Sequence, residues 1–300
     1  MTPAPGSGAT APTAPTFTPA AAATTAPTVA QALAAARTLG LNRLDAHLLL
    51  AHRLQRDRAW LIAHDEAPLT AADAQAYAAD CQRRAAGEPL AYLLGEREFH
   101  GLRLQVTPDV LVPRPDTETL VDWALDLLRA PAWAATAPRV LDLGTGSGAI
   151  ALAVAHRHPA ALVSATDLSP AALAVAAGNA LRLGLAVAFA EGGWWAAVAP
   201  AARFDLVVSN PPYIAGDDPH LPALRHEPLL ALTPGGDGLD ALRAITGEAA
   251  AHLEPGGWLL LEHGFDQPDA VQALLREHGF VGVQTRIDLG GQPRCTGGHR

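Results

Sequence analysis

Three hundred residues suggest two domains at roughly 100–200 residues each, and 49% hydrophobic against 17% charged residues excludes a globally disordered chain. All 21 basic side chains are Arg, which excludes Schiff-base chemistry and a P-loop lysine. The net charge of −9 falls entirely in residues 96–300, where fourteen Arg face twenty-three acids, whereas residues 28–95 balance seven against seven. A protein that tracks a phosphate backbone carries the opposite sign, so direct nucleic-acid binding is not expected.

Residues 1–27 are almost entirely Ala, Thr and Pro, and the first charged side chain is Arg37. The segment lacks the basic start and apolar run of a secretory signal and reads as a disordered tail. No later stretch reaches the ~18 uncharged apolar residues of a membrane span. A soluble, cytoplasmic protein with no membrane partner is expected. Cys81 and Cys295 lie far apart without metal-ligand spacing, so neither a disulfide framework nor a metal site is expected.

Residues 28–95 read as a small helical domain, bland enough for recognition or packing. Thr28 can cap a helix ending at Gly40, and Asn42 caps the next. Thr70 with Asp73 resembles a capping box for a helix running to about Gly87. At Glu96 the period changes. Phe99 to Val106, followed by Val110-Leu111-Val112, predicts a β-hairpin that makes residues 96–116 a linker. A helix is expected over about 117–129.

After Pro138 strand and helix alternate. Strands are expected at Val140–Leu143, Leu162–Thr166, Val187–Ala190, Phe204–Ser209, Trp258–Glu262 and Val281–Ile287, and helices near 147–157, 170–182, 238–253 and 267–278. This predicts an α/β domain over 117–300, doubly wound on a mainly parallel sheet, with its site at the C-terminal strand ends.

The run Val140-Leu141-Asp142-Leu143-Gly144-Thr145-Gly146-Ser147-Gly148-Ala149 is a strand, a glycine turn and a helix start. Gly144, Gly146 and Ala149 also satisfy the dinucleotide fingerprint. Asp167, ending the next strand, suits a carboxylate that holds two ribose hydroxyls. The pair points to an adenosine-type cofactor and leaves nicotinamide and S-adenosylmethionine both open. The fourth strand decides between them. It runs straight into Asn210-Pro211-Pro212-Tyr213, where two prolines remove N–H groups and leave a rigid ledge of acceptors. Such a ledge suits a planar –NH2 group, which offers two donors.

Glycine turn, acid and ledge in this order resemble the amino-group methyltransferases of the class I S-adenosylmethionine fold. Gly87-Glu88-Pro89-Leu90-Ala91-Tyr92, Arg97-Glu98-Phe99, Pro113-Arg114-Pro115-Asp116-Thr117-Glu118, Glu227-Pro228 and Gly235-Gly236-Asp237-Gly238-Leu239 bring the likeness closer, to the PrmC/HemK family of release-factor glutamine methyltransferases. It covers roughly residues 28–295. The resemblance implies a Rossmann-like fold and S-adenosyl-L-methionine as cofactor. It implies that Gly144, Thr145, Gly146, Ser147 and Gly148 cradle the methionine part, Asp167 the ribose and Trp195 the adenine, with Trp194 the alternative. Asn210 would touch cofactor and substrate, and Pro211, Pro212 and Tyr213 would form the glutamine pocket, with Asn210, Pro211 and Tyr213 carrying the catalysis. Pro113–Glu118 is either a loop at the site mouth or a structural hairpin end.

The implied reaction methylates the glutamine side chain in the Gly-Gly-Gln motif of class I peptide chain release factors. An amide nitrogen is delocalised and far too weak an acid for simple deprotonation, which fits the absence of an obvious base. The alternative is a DNA adenine or RNA guanine amino-methyltransferase, which the acidic catalytic domain disfavours. A nicotinamide oxidoreductase or a non-catalytic binding module leaves the ledge unexplained. Gly290-Gly291-Gln292 copies the target motif within a Gly-rich C-terminal turn and is read as chance.

Overall fold

A computed structural model describes residues 26–130, 133 and 137–300. The tail expected over 1–27 lies outside the described residues except for its last two, of which Pro27 accepts a hydrogen bond from the Leu69 N–H.

Five helices open the chain: α1 (Val29–Thr38), α2 (Arg43–Leu54), α3 (Arg58–Ala63), α4 (Ala71–Ala85) and α5 (Leu90–Leu94). The first four start at side-chain caps, namely Thr28, Asn42, Asp57 and Thr70, each accepting from the backbone N–H three residues on. Their apolar stripes close around Val29, Leu49, Leu50, Leu61 and Tyr77. The even charge of this region is partly internal, since Arg53 pairs with Asp80 at 2.5 Å and Arg84 with Asp45 at 2.7 Å.

Strands β1 (Glu96–Phe99) and β2 (Leu102–Gln105) form an antiparallel hairpin. Val110-Leu111-Val112, expected to extend it, is instead a loop. Its polar groups find partners outside any strand: Val110 carbonyl accepts from the Tyr92 hydroxyl at 2.5 Å, and Val112 N–H donates to Glu227 Oε2 at 3.1 Å. A 3-10 turn, Pro115–Thr117, then leads into α6 (Glu118–Leu128).

The larger sheet is built from β3 (Arg139–Leu143), α7 (Ala149–Arg157), β4 (Leu162–Asp167), α8 (Pro170–Leu183), β5 (Ala188–Glu191), β6 (Phe204–Ser209), α9 (Asp240–Ala249), β7 (Leu253–Glu262), α10 (Pro268–Glu277), β8 (Val281–Ile287) and β9 (Pro293–His299). Among the described residues its order is β5-β4-β3-β6-β7-β9-β8, with β3 to β7 parallel and β9 antiparallel to both neighbours. The mainly parallel, doubly wound sheet is as the alternation predicted. Strand β9 was not anticipated, because its Gly297-Gly298 pair reads as turn chemistry. A Cβ at Gly297 would lie 2.4 Å from Leu260 Cδ2 and 3.1 Å from the Trp123 ring, so glycine here permits close packing of strand on sheet.

Alternation along the strands sorts the core. Val140, Leu206, Val208 and Leu260 point to the face covered by α6 and α7, whereas Leu141, Leu143, Val207, Leu259 and Leu261 point to α9 and α10. Both faces are buried, which is why these strands read as continuous apolar runs. No helix among the described residues is long and apolar enough to cross a membrane. Cys81 and Cys295 are buried free thiols.

Candidate active site

The chain adds β4 and β5 on one side of β3, then crosses over to lay β6 on the other. The loops leaving β3 and β6 therefore diverge, which opens a crevice at their C-terminal ends. A cavity of about 700 Å³ occupies it. Gly144 to Ser147, Asp167, Trp194, Asn210 and Pro212 line it on the sheet side. Pro113, Arg114 and Thr117 form a further wall, so part of the Pro113–Glu118 stretch lines the cavity. Glu227 holds that wall, accepting from Arg114 Nη2 at 2.5 Å as well as from Val112.

The glycine turn is shaped from the backbone. Gly144, Gly146 and Gly148 have φ of 74°, 56° and 84°, a region that side chains disfavour. Gly144 and Thr145 N–H both donate to the Thr166 carbonyl at 2.9 Å. Asp167 accepts from Gly146 N–H at 2.8 Å through one oxygen and from Ser169 N–H at 2.9 Å through the other. Each oxygen keeps a lone pair, so the carboxylate enters the cavity already aimed and able to accept two hydroxyl donors. A Cβ on Gly146 would meet nothing within 4 Å, leaving the turn open to a ligand. An aimed carboxylate acceptor beside an open glycine turn fits an adenosine-type group.

Thr145 faces the cavity but commits its hydroxyl inward, donating to Asp142 Oδ2 at 2.6 Å. Asp142 is fully buried beneath the turn, also accepts from Ala151 N–H, and leaves Oδ1 without a partner. Burial pushes its carboxyl up to about 7, against the lowering effect of those two donors. Asn179, 0% exposed on α8, accepts from Gln105 N–H and donates to the carbonyls of Gln105 and Ser147. It ties the hairpin to the turn.

The aromatic expected at the adenine position is corrected. Trp195 is buried in the core, donates from Nε1 to the Ile245 carbonyl at 3.0 Å and stacks on His252 at 4.7 Å. It does not line the cavity. Trp194 does, with its ring against Gly144. Trp194 has φ 46°, and this left-handed residue sends the two neighbouring indoles to opposite sides. No spacing rule could have distinguished them.

The ledge leaves β6 as expected. Asn210 Nδ2 donates to Thr117 Oγ1 at 3.1 Å, while Oδ1 closes no hydrogen bond among the described residues. Asn210 and Pro212 face the cavity, Pro211 is buried, and Tyr213 turns toward the sheet. Its hydroxyl donates to Glu262 Oε1 at 3.3 Å. Burial and the Glu262 charge push the Tyr213 hydroxyl well above its usual range. Glu262 ends β7 and is 1% exposed, and burial raises its carboxyl to about 7 although Thr117 and Arg294 lower it. Asp142 and Glu262 were missed by sequence reasoning. Both carry a signal that could have found them, an acid within or ending an apolar strand, as Asp167 does.

Known proteins match the chain over most of its length. The PrmC N-terminal domain family matches residues 28–95, and the methyltransferase small domain family matches residues 118–237. A release factor glutamine methyltransferase of Bordetella pertussis is 55% identical over 262 residues, covering 87% of this chain and 96% of its own. A second, from Xylella fastidiosa, is 53% identical over 270 residues, covering 89% and 96%. The chain belongs to the release factor glutamine methyltransferase family. For the fold alone, a methyltransferase from Pyrococcus furiosus superposes with a TM-score of 0.50 at 20% identity, covering 66% of this chain and 89% of that one. Membership agrees with the order of glycine turn, acid and ledge that carried the resemblance.

Proposed function

We propose that this family member transfers a methyl group from S-adenosyl-L-methionine to the side-chain amide nitrogen of the glutamine in the Gly-Gly-Gln motif of class I peptide chain release factors. The observation that carries this reading is the Asn210 amide at the end of β6, its nitrogen held by Thr117 and its oxygen left for a donor in the cavity.

Bound in the cavity, the cofactor supplies a sulfonium methyl already activated for transfer. The glycine turn, Gly144 to Gly148, holds its amino-acid end, Asp167 accepts from the ribose hydroxyls, and Trp194 provides the flat wall for the adenine. Asn210 Oδ1 and the Pro211 carbonyl accept from the two N–H groups of the substrate amide. They orient its nitrogen for in-line attack, and they stabilise positive charge as it develops there. Pro212 and Tyr213 keep this ledge stiff, and the proton lost after transfer leaves to water. Residues 28–95 act in recognition of the release factor. The contact of α5 with the cavity wall, through Tyr92 and Val110, supports that role.

The test is label incorporation from methyl-labelled S-adenosylmethionine into a release factor, duplex DNA and ribosomal RNA in parallel. Label should enter the release factor only and vanish when its Gly-Gly-Gln glutamine becomes Ala. Incorporation into nucleic acid alone would overturn the substrate while sparing the fold.

A further inference from the structure

Proline fixes φ but leaves ψ free, and ψ sets where a carbonyl points. The Pro211 carbonyl is therefore aimed only if the chain is held on either side of the two prolines. On the near side, Ser209 Oγ donates to the Leu143 carbonyl at 2.6 Å, and Asn210 is tied to Thr117. On the far side, the peptide between Tyr213 and Ile214 is held at both of its polar groups. Ile214 N–H donates to the Leu232 carbonyl at 3.0 Å, and the Tyr213 carbonyl accepts from Gln267 Nε2 at 3.0 Å.

Gln267 is itself firmly seated. It immediately precedes α10, its N–H donating to the Gly264 carbonyl and its carbonyl accepting from Val271 N–H, both at 3.0 Å. Its Oε1 accepts from Gly264 N–H at 2.8 Å. A backbone N–H only donates and a backbone carbonyl only accepts, so a single orientation of the Gln267 amide satisfies both partners. Glycine at 264 leaves the room: a Cβ there would lie 3.1 Å from Gln267 Oε1 and 2.9 Å from Asp266 Oδ1. Gly238 also crowds the Tyr213 carbonyl. It has φ 80°, and a Cβ on it would lie 2.4 Å from that oxygen and 3.1 Å from Ala215 N. This contact explains a glycine within the Gly235–Leu239 run.

We propose that Gln267 is a positioning residue for methyl transfer: it locks the Tyr213 carbonyl, and through it the two prolines, so that the Pro211 carbonyl and Asn210 Oδ1 meet both N–H groups of the substrate amide together. This rests on the methyltransferase reading above. Gln267 does not line the cavity, so it acts through the ledge and not by touching cofactor or substrate. Without its donor the Tyr213 carbonyl is released, ψ of the proline pair is freed, and the two acceptors no longer converge on one nitrogen.

The experiment measures kcat, KM for the release factor, S-adenosylmethionine affinity by calorimetry and melting temperature. Gln267→Glu keeps the size of the side chain but, ionised, sets an oxygen against the Tyr213 carbonyl. It should lower kcat by about 10- to 100-fold, the scale of a small misplacement at the reacting centre. Cofactor affinity and KM should stay within about twofold, since only a transition-state contact is misaligned. Gln267→Met fills the same space without a donor or a charge and should show a smaller loss, again in kcat alone. Gly238→Ala, which presses on the same oxygen, should reproduce the kcat-selective loss. Gln272→Met removes the other glutamine of α10, whose Nε2 donates to Thr285 on β8 at 2.9 Å, and should leave kcat within about twofold. Should Gln267→Glu fail to fold, Gln267→Met decides by the same readouts. Wild-type kcat in the Gln267 variants, a loss shared equally by kcat and cofactor affinity, or an equal loss in Gln272→Met would each overturn the proposal. If the wild type methylates something other than a release factor, the substrate assignment fails by itself, because the same variants are read on whichever acceptor takes label.

Discussion

The two halves of the cavity are held by different means. The half formed by β3 and β4 is shaped by backbone, with Thr166 carbonyl and Asp167 carboxylate bonding the N–H groups of the glycine turn. The half formed by β6 and β7 is shaped by side chains that reach across the chain, Asn210 to Thr117 over 93 positions and Tyr213 to Glu262 over 49. A site for a fixed cofactor can be moulded in main chain. A site that must align one weakly nucleophilic nitrogen needs donors and acceptors whose sense is set individually.

This contrast implies that the halves fail differently. Asn210→Ala should have the largest effect, lowering methyl transfer by about 10²- to 10³-fold through loss of one preorganised contact. Cofactor affinity should change little, because the glycine turn is untouched. Single-turnover kinetics with calorimetry checks this, and near-normal transfer would refute the ledge mechanism. Asp167→Ala should act in the opposite way. It removes the acceptors for the ribose and for two backbone N–H groups, so S-adenosylmethionine binding should weaken by about 1–3 kcal/mol. Unchanged affinity would take Asp167 out of the site.

The tryptophan pair sharpens the comparison at smaller scale. Trp194→Ala should weaken cofactor binding with the melting temperature nearly unchanged. Trp195→Phe should leave affinity alone and cost about 1 kcal/mol of stability, because the buried Ile245 carbonyl loses its donor. The reverse pattern, read by calorimetry and thermal melts, would restore Trp195 to the site. Deleting residues 2–25 should have the smallest effect, leaving turnover and melting temperature within error, since Pro27 and the Thr28 cap remain. A clear fall in melting temperature would show that the segment packs on the body.

What could be read from the sequence follows the same division. Gly144 to Gly148 and Asp167 lie within 24 positions, and turn geometry plus a strand-ending acid are local signals. The parallel sheet was legible because its strands are buried on both faces. The Asn-Pro-Pro-Tyr run was legible as a ledge, but its support was not. Thr117 gains meaning only when its loop meets the end of β6. Strand β9 was hidden because glycines that admit a neighbouring strand look like glycines that make a turn, and the choice between Trp194 and Trp195 was hidden by a single backbone angle. The alternation that predicted a hairpin through Val112 was overruled by Tyr92 and Glu227, partners from distant segments.

One buried amide carries a chemical vulnerability. Asn179 presents its –NH2 group to two carbonyls, those of Gln105 and Ser147. Conversion to Asp would replace that donor with a second acceptor facing the two carbonyls, while the other oxygen kept the Arg182 guanidinium and the Gln105 N–H as its donors. An ionised oxygen in place of the amide nitrogen could bond neither carbonyl, so the contact that joins the hairpin to the glycine turn would be lost. Ageing of a single side chain would then loosen the seat of the cofactor loop on the hairpin without cutting the chain.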